Sequence, residues 1–384
     1  MQLDTLYNNA FNYLKATPGL TFGDKLSKDQ VDSGLTENIV WPEVRTINGE
    51  DVVVPVLYLT KTTVDNRSVT VRDTTFNGNV DIGSIEVSGV TINTGRNTFI
   101  NVADKLLNDG GTITSPEDLT IVAGGVLTNL SGVIEAQNNL TIGAHSIQNR
   151  TVIHRYDTGY EQGARYGEIA SFNAVDGSVT LRSSSDIIFS GARATAGQEL
   201  SLGADGSIYL GAEQLYSGEG GRYSDNNRSS VTYLQSELSA EDTIQLIANG
   251  EIKLDAAKLV SDEGHIELLA GLGITVEDEL TEERFYLKSR FGDTSREVSA
   301  YKTVAMRSLL DAGKGVRIHS ALGDITLRAS EINTTEGASV TADNGSVNLL
   351  MTVENDHYSY NSITRNLFTI KTVNKGHNIE TGVQ

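Results

Sequence analysis

The sequence predicts an all-β fold: a right-handed parallel β-helix, in which short coils stack into a solenoid. Three observations carry this prediction. The composition has 38 glycines, only 4 prolines, 38% hydrophobic and 6% aromatic residues, which suits many short strands joined by tight turns. Short apolar-x-apolar segments recur at a spacing of about 21 residues. At 384 residues the chain also exceeds the usual size of one compact core, which favours an elongated repeat array.

The repeats begin after about residue 75. The segment 179–181 recurs 21 residues later at 200–202, and the segment 244–246 recurs 22 residues later at 266–268. This period is too short for a propeller blade and lacks the helix of a βαβ unit, but it fits one coil of a β-helix. Neighbouring coils should lie about 4.8 Å apart, so roughly nine coils give a rod about 40 Å long.

Glycines punctuate the predicted coils. Gly124, Gly250 and Gly271 fall in the spacers between strands. We expect them at corners where glycine adopts a positive φ.

A small α+β module is predicted for residues 1–62, ahead of the repeats. Apolar residues at helical spacing within 3–14 predict an amphipathic helix. Ser27 and Gln30 predict a capping box at the start of a second short helix. The dipeptide Asn48-Gly49 predicts a two-residue turn between two strands. Trp41 is expected in the core of this module.

The remaining chain divides into repeats and inserts. The β-helix repeats are assigned to residues 63–349. Non-repeating inserts interrupt them near 149–175, 211–237 and 277–312, and residues 350–384 form a C-terminal insert-like or extended segment. Loops carried by a rigid scaffold are where binding residues concentrate.

The charge and the cysteine count exclude several functions. The formal net charge of −20 disfavours nucleic acid and anionic lipid as partners, because phosphate binding depends on lysine and arginine. With no cysteine, there is no disulfide, thiolate nucleophile or cysteine-bound zinc. No segment is long and apolar enough for a transmembrane helix, and the first residues lack a secretion signal. If the protein is secreted, the signal is expected upstream.

Two motifs resemble those of a known family. The segment Leu35–Trp41, followed by Val54–Leu59, resembles the "LTxDIVW … VPxVYL" signature that precedes the second repeat region of filamentous haemagglutinins and contact-dependent growth inhibition exoproteins, with Asn38 in place of the usual aspartate. The resemblance implies two-partner secretion through an outer-membrane transporter and localisation at the bacterial cell surface. It also implies toxin delivery, with a target-cell receptor or outer membrane as partner.

The inserts hold the candidate contact residues. Together with residues 350–384 they contain ten of the fourteen tyrosines, and tyrosine and arginine are enriched at binding hot spots. The candidates for partner contact are Tyr156, Tyr160, Tyr166, Tyr216, Arg222, Tyr223, Tyr233, Tyr286, Arg290 and Tyr301. The alternative is that the inserts are β-hairpins or extra strands that pack along the rod.

Catalysis is not expected. Acidic runs at 277–279, 282–283 and 241–242 are the nearest match to the carboxylates of a β-helix polysaccharide lyase or hydrolase, but a solvated charge run explains them better. The six histidines are scattered without metal-ligand spacing, so neither a metal nor a cofactor is expected. The predicted function is a non-catalytic filament segment for toxin delivery, and the alternative is a host- or surface-directed adhesin.

One buried polar feature is predicted within the repeats. Asn129 and Asn149 lie 20 residues apart at corresponding positions of neighbouring coils. They are expected to stack as an asparagine step rather than to form a binding site.

Overall fold

The structure is a computed structural model, and it describes residues 2–17, 19–27, 30, 35–47, 50–58, 79–82, 84–94, 97–220 and 226–383. About two thirds of these residues are in strands. The secondary structure forms three parts: a small N-terminal module, a rod of stacked coils, and a sheet of β-hairpins that interrupt the coils and follow them.

The N-terminal module packs one helix against one hairpin. The helix α1 (Gln2–Ala16) precedes the antiparallel strands β1 (Ile39–Ile47) and β2 (Glu50–Tyr58). Trp41 is fully buried and donates its indole N–H to the Asp24 carbonyl at 2.7 Å. Ser27 and Gln30 make the reciprocal bonds of the predicted capping box, while the rest of that helix and the Asn48-Gly49 turn lie outside the described residues.

The rod is the predicted parallel β-helix, and each coil contributes one strand to each of three parallel sheets. Sheet 1 contains β5 (Thr91–Asn93), β8 (Thr112–Ser115), β10 (Val133–Ala136), β14 (Ser171–Ala174), β17 (Arg193–Ala196), β22 (Glu237–Ala240), β25 (Lys258–Ser261), β30 (Leu309–Ala312) and β33 (Glu331–Thr334).

Sheets 2 and 3 form the other two sides of the rod. Sheet 2 contains β3 (Asn79–Ile82), β6 (Thr98–Val102), the first halves of β9 (Leu119–Leu130) and β11 (Leu140–Arg150), β15 (Val179–Ser183), β18 (Leu200–Ala204), β23 (Ile244–Ala248), β26 (Ile266–Ala270), β31 (Gly315–Ser320) and β34 (Gly337–Ala342). Sheet 3 contains β4 (Ile85–Ser88), β7 (Leu106–Asp109), the second halves of β9 and β11, β16 (Ile187–Ser190), β19 (Ile208–Gly211), β24 (Glu251–Asp255), β27 (Gly273–Glu277), β32 (Ile325–Arg328) and β35 (Val347–Leu350).

The core consists of stacked aliphatic side chains, as the repeats predict. Leu200 lies between Val179 of the preceding coil and Ile244 of the next, and all three are fully buried. Alternate residues point inward, so the stacks form one continuous apolar core from Ile85 to Leu327. Sheets 2 and 3 each have ten described strands, slightly more than the roughly nine coils estimated from the sequence, because the inserts are shorter than estimated.

The corner glycines have a different role from the predicted one. None of Gly124, Gly250 and Gly271 has a positive φ, so that expectation is wrong. Instead, a Cβ on Gly271 would lie 2.2 Å from the Asn249 carbonyl oxygen of the preceding coil. Glycine is required here because the backbones of adjacent coils touch at the corner.

The predicted asparagine step is confirmed and has one more member. Asn108, Asn129 and Asn149 are fully buried in consecutive coils. The Asn108 amide donates to Asn129 Oδ1 at 2.7 Å, and the Asn129 amide donates to Asn149 Oδ1 at 2.8 Å. The stack begins at Asn108, since the matching residue of the preceding coil is Val87. Asn108 Oδ1 accordingly has no hydrogen-bond partner among the described residues.

Candidate partner-contact surface

Each insert folds as a β-hairpin. Hairpin 1 is β12 (Ile153–Asp157) and β13 (Glu161–Tyr166), and hairpin 2 is β20 (Glu213–Glu219) and β21 (Asn226–Leu234). Hairpin 3 is β28 (Glu279–Phe291) and β29 (Thr294–Met306), and hairpin 4 is β36 (Thr352–Arg365) and β37 (Ile370–Val383). The hairpins therefore lengthen along the chain.

The hairpins leave the rod at every second coil. They follow β11, β19, β27 and β35, which are alternate strands of sheet 3. Two coils advance the rod by about 9.6 Å, and a two-stranded hairpin is also about 9.6 Å wide. Successive hairpins are thus presented at the spacing at which their edges can hydrogen-bond.

The four hairpins pair edge to edge into one eight-stranded antiparallel sheet, which we call the hairpin sheet. Its inter-hairpin ladders involve Glu161–Gly163 of β13, Asn226–Val231 of β21 and Thr294–Lys302 of β29, each with the following hairpin. No described residue of the sheet belongs to the rod's apolar core. The inserts are β-hairpins, as the alternative interpretation has it, and they pair with one another edge to edge.

Five of the candidate tyrosines share one face of this sheet, because paired residues lie on the same face and alternate residues on opposite faces. This tyrosine face carries Tyr166, Tyr216, Tyr233, Tyr286 and Tyr301, together with Arg290. Tyr156 lies on the opposite face, and Tyr160 lies in the turn of hairpin 1. Arg222 and Tyr223 lie outside the described residues.

Cross-strand contacts hold the tyrosine face together. Gln162 of hairpin 1 donates to the Tyr216 hydroxyl of hairpin 2 at 3.2 Å. The guanidinium of Arg284 lies 5.0 Å from the ring centre of Tyr301, which is within cation–π range. Arg284 also forms an ion pair with Glu282, and this hydrogen bond raises the pKa of Arg284.

An open groove of about 660 Å³ runs across hairpins 1 to 3 on this face. Small residues, Gly218, Ser229 and Ser299, lie along it between the larger side chains of Tyr216 and Tyr286. Aromatic rings beside small residues give an uneven surface into which a partner side chain can fit.

The opposite face has its own aromatic contacts. Arg165 stacks over Tyr156 within hairpin 1, and Arg228 of hairpin 2 lies over Phe285 of hairpin 3. In hairpin 4, Tyr358 stacks on His377. Both faces therefore contain tyrosine.

The bases of hairpins 3 and 4 are fixed by a buried carboxylate. Asp278 precedes hairpin 3 and has a side chain only 1% exposed. It accepts hydrogen bonds from Arg328 Nε at 3.0 Å and from the Thr352 hydroxyl at 2.6 Å. Because Arg328 belongs to the rod and Thr352 begins hairpin 4, this carboxylate joins two hairpins to a coil.

A second carboxylate at this base has an altered acidity. Burial raises the pKa of Glu279, and the nearby Asp255 carboxylate raises it further, whereas a hydrogen bond from Tyr233 opposes the shift. Burial also raises the pKa of Tyr233. These groups lie where hairpins 2 and 3 meet the rod.

Three of the seven carboxylates in the acidic runs considered for catalysis, Glu277, Asp278 and Glu282, form ion pairs. Glu277 pairs with Lys253 at 2.7 Å and with Arg328 at 3.0 Å. Glu237 pairs with Arg193 and Lys258. Among the described residues no group of three or more histidine, cysteine, aspartate or glutamate side chains could hold a metal ion.

The distal ends of hairpins 3 and 4 expose large apolar side chains, a feature that the sequence does not predict. Phe291, Leu367 and Phe368 are 91%, 95% and 94% exposed, and Ile370 is 71% exposed. The Arg365 amide donates to the Asp293 carbonyl at 2.9 Å, so the two turns are neighbours. In the sequence these ends are recognisable only as apolar residues beside turn residues. The pairing register of β29 with β36 is needed to show that the two turns meet.

No helix in the described part of the chain is long and apolar enough to span a membrane.

Comparison with known proteins gives matches to CdiA proteins. The chain is 27% identical over 309 residues to a "tRNA nuclease CdiA" of Escherichia coli strain STEC_O31, covering 75% of this chain and 9% of the relative. It is 32% identical over 232 residues to a "Toxin CdiA" of Escherichia coli, covering 58% of this chain and 7% of the relative. A "16S rRNA endonuclease CdiA" of Enterobacter cloacae is 32% identical over 184 residues, covering 46% of this chain and 5% of the relative.

No family model matches the chain, and no solved structure matches it. The chain spans less than a tenth of the length of these relatives. Their similarity agrees with the motifs around Trp41 and with the β-helix. The chain is therefore similar to contact-dependent growth inhibition exoproteins over about half to three quarters of its length.

Proposed function

We propose that this chain is a non-catalytic shaft and target-cell contact region of a toxin-delivery exoprotein displayed on the bacterial surface. The observation that carries the proposal is the hairpin sheet, which the β-helix presents outside its own core. Rigid tyrosines on such a surface supply contact area at a low cost in conformational entropy.

The route of export and the partner are proposed from the similarity to contact-dependent growth inhibition exoproteins. An outer-membrane transporter of the two-partner secretion type exports the protein, and a receptor or the outer membrane of the target cell is its partner. The nuclease activities belong to the relatives by name, and we assign none to this chain. Its principal acidic runs include carboxylates held in ion pairs, which disfavours a hydrolase that needs two free carboxyl groups across a groove.

The chain offers a matched test of the tyrosine face. A triple variant, Tyr216→Ser, Tyr286→Ser and Tyr301→Ser, removes three rings from that face. The control, Tyr156→Ser, Tyr358→Ser and Tyr360→Ser, removes three rings from the opposite face. We expect the first variant to bind target bacteria about 100-fold more weakly, at about 1 kcal/mol for each of the three hot-spot rings, and the control to bind as the parent does.

Three results would count against the proposal. Equal binding by the parent and the tyrosine-face variant would remove the contact role from this face. Binding to eukaryotic cells but not to bacteria would favour the host-directed adhesin. Cleavage of acidic polysaccharides by the purified chain would contradict the non-catalytic role.

A further inference from the structure

We propose that the distal ends of hairpins 3 and 4 dock onto a lipid surface that carries anionic phosphate headgroups. We call these ends the hairpin rim and define it by Phe291, Leu367 and Phe368. The inference rests on the proposed function, since it gives the target-cell contact a chemical partner.

The apolar part of the rim is too exposed to be explained by folding. All three side chains are more than 90% exposed, and they lie at the end of the sheet farthest from the rod, beyond strands of thirteen and fourteen residues. Soluble proteins rarely leave clustered large apolar side chains in water unless a partner covers them. Aromatic and leucine side chains are those that enter the boundary between headgroups and acyl chains.

Cations lie near these turns on both faces of the sheet. Lys288, Arg290 and Arg365 line a shallow cavity of about 460 Å³ on the tyrosine face, and Arg296 borders it with its side chain on the opposite face. None of them forms an ion pair with a described carboxylate. The cavity also contains Asp293 and Glu297, and Glu297 accepts a hydrogen bond from the Tyr286 hydroxyl. Four cations against two carboxylates make the rim locally positive.

This local charge is opposite to that of the whole chain. The formal net charge is −20, so the chain as a whole is repelled by an anionic surface, and a second copy of the chain is repelled as well. Only a locally cationic end can approach phosphate headgroups. The charge pattern therefore favours an anionic lipid surface over self-association and orients the hairpin sheet with its rim towards the lipid.

The polar lining of the cavity fits the same partner. Ser295 and Asn361 lie on the same face as Arg290 and can donate hydrogen bonds to phosphate oxygens. Arginine is suited to phosphate because its guanidinium can bind two oxygens at once. The rim therefore combines an apolar element for the acyl boundary with donors for the headgroup.

Vesicle co-sedimentation of the full chain tests the inference. One set of vesicles contains only zwitterionic phospholipid and the other also contains anionic phospholipid. We expect binding to the anionic vesicles, weakened about 30-fold by Arg290→Gln with Arg365→Gln, at about fivefold for each cation. The apolar variant, Phe291→Ser with Leu367→Ser and Phe368→Ser, should weaken binding at least tenfold. The substituted side chains are exposed, so folding should be preserved.

Matched controls lie on the rod. Leu322→Ser removes an apolar side chain that is 62% exposed at a corner, and Arg182→Gln removes an exposed cation from β15. Both should bind vesicles as the parent does. Equal binding by parent and rim variants, or equal losses in the rod controls, would overturn the inference.

The two proposals fail in different ways. If the parent binds target bacteria but no vesicles, and the rim variants still bind the bacteria, the partner is not lipid, while the contact role stands. If the parent binds vesicles but the tyrosine-face variant binds bacteria unchanged, the role of the tyrosine face fails and the lipid inference stands.

Discussion

The asparagine stack predicts an unequal response to one substitution made at two positions. Asn129 and Asn108 are both fully buried in the rod, so burial alone predicts similar costs for replacing either with valine. Asn129 donates to Asn149 Oδ1 and to the Gly132 carbonyl, each at 2.8 Å, and accepts from Asn108 at 2.7 Å. Valine leaves these partners without their bonds.

The magnitude follows from the groups left unpaired. A buried polar group without a partner costs about 1–3 kcal/mol, so Asn129→Val should lower the free energy of unfolding by about 2–4 kcal/mol. Asn108→Val also removes two donated bonds, but it eliminates the Oδ1 atom that already lacks a partner. Its cost should be smaller by about 1–2 kcal/mol.

Urea denaturation followed by circular dichroism measures the loss in free energy of unfolding for both variants, provided that the free energy depends on urea concentration with the same slope in each. Thr128→Ala serves as a control, because Thr128 is in the same strand and is only partly buried. Equal destabilisation at positions 108 and 129, or a larger loss at 108, would refute the account of the stack.

Three further predictions concern the base of the hairpins and the N-terminal module. Burial first, and then Asp255, raise the pKa of Glu279, so the folded state holds this proton more tightly than the unfolded state does. The contribution of Glu279 to the free energy of unfolding therefore falls as pH rises above 4.5. Glu279→Gln should raise the urea midpoint at pH 7 more than at pH 4, and an equal change at both would contradict this. Arg328→Gln leaves the buried Asp278 carboxylate without its cation and should lower the free energy of unfolding by about 2–3 kcal/mol, measured by thermal unfolding at constant pH. Adding Asp278→Asn should recover part of this loss, and no recovery would count against the pairing. Trp41 is the only tryptophan and is fully buried, so its fluorescence should report on the N-terminal module alone. Trp41→Phe should destabilise α1 and leave the hydrogen exchange of the rod unchanged. A matching change in the rod would show that the two parts unfold together.

The β-helix was predictable because its signal is local and repeated. The register of Ile244 with Ile266 follows directly from the 22-residue spacing of identical patterns. The asparagine step was predictable for the same reason, although Asn108 was not included. The motif around Trp41 is likewise local, so the resemblance that it carries can be recognised from the sequence alone.

The hairpin sheet could not be predicted in the same way. Its pairing joins segments far apart in the chain, such as Ser299 with Ser359, and it depends on the match between two coil rises and one hairpin width. The same limit applies to the rim, because the exposure of Phe291 depends on where the neighbouring hairpin ends. The reason for glycine at position 271 could not be predicted either, because the backbone contact between adjacent corners arises only when the coils are stacked.

Disulfide cross-linking tests the central claim that separate inserts join into one sheet. The chain has no cysteine, so a pair introduced at Ser299 and Ser359, which are opposite each other in β29 and β36, is the only one that can form. We predict rapid oxidation of this pair in dilute monomer, and little for a control pair at Ser299 and Tyr360, whose side chains point to opposite faces. Absence of the first cross-link, or equal formation of both, would contradict the hairpin sheet.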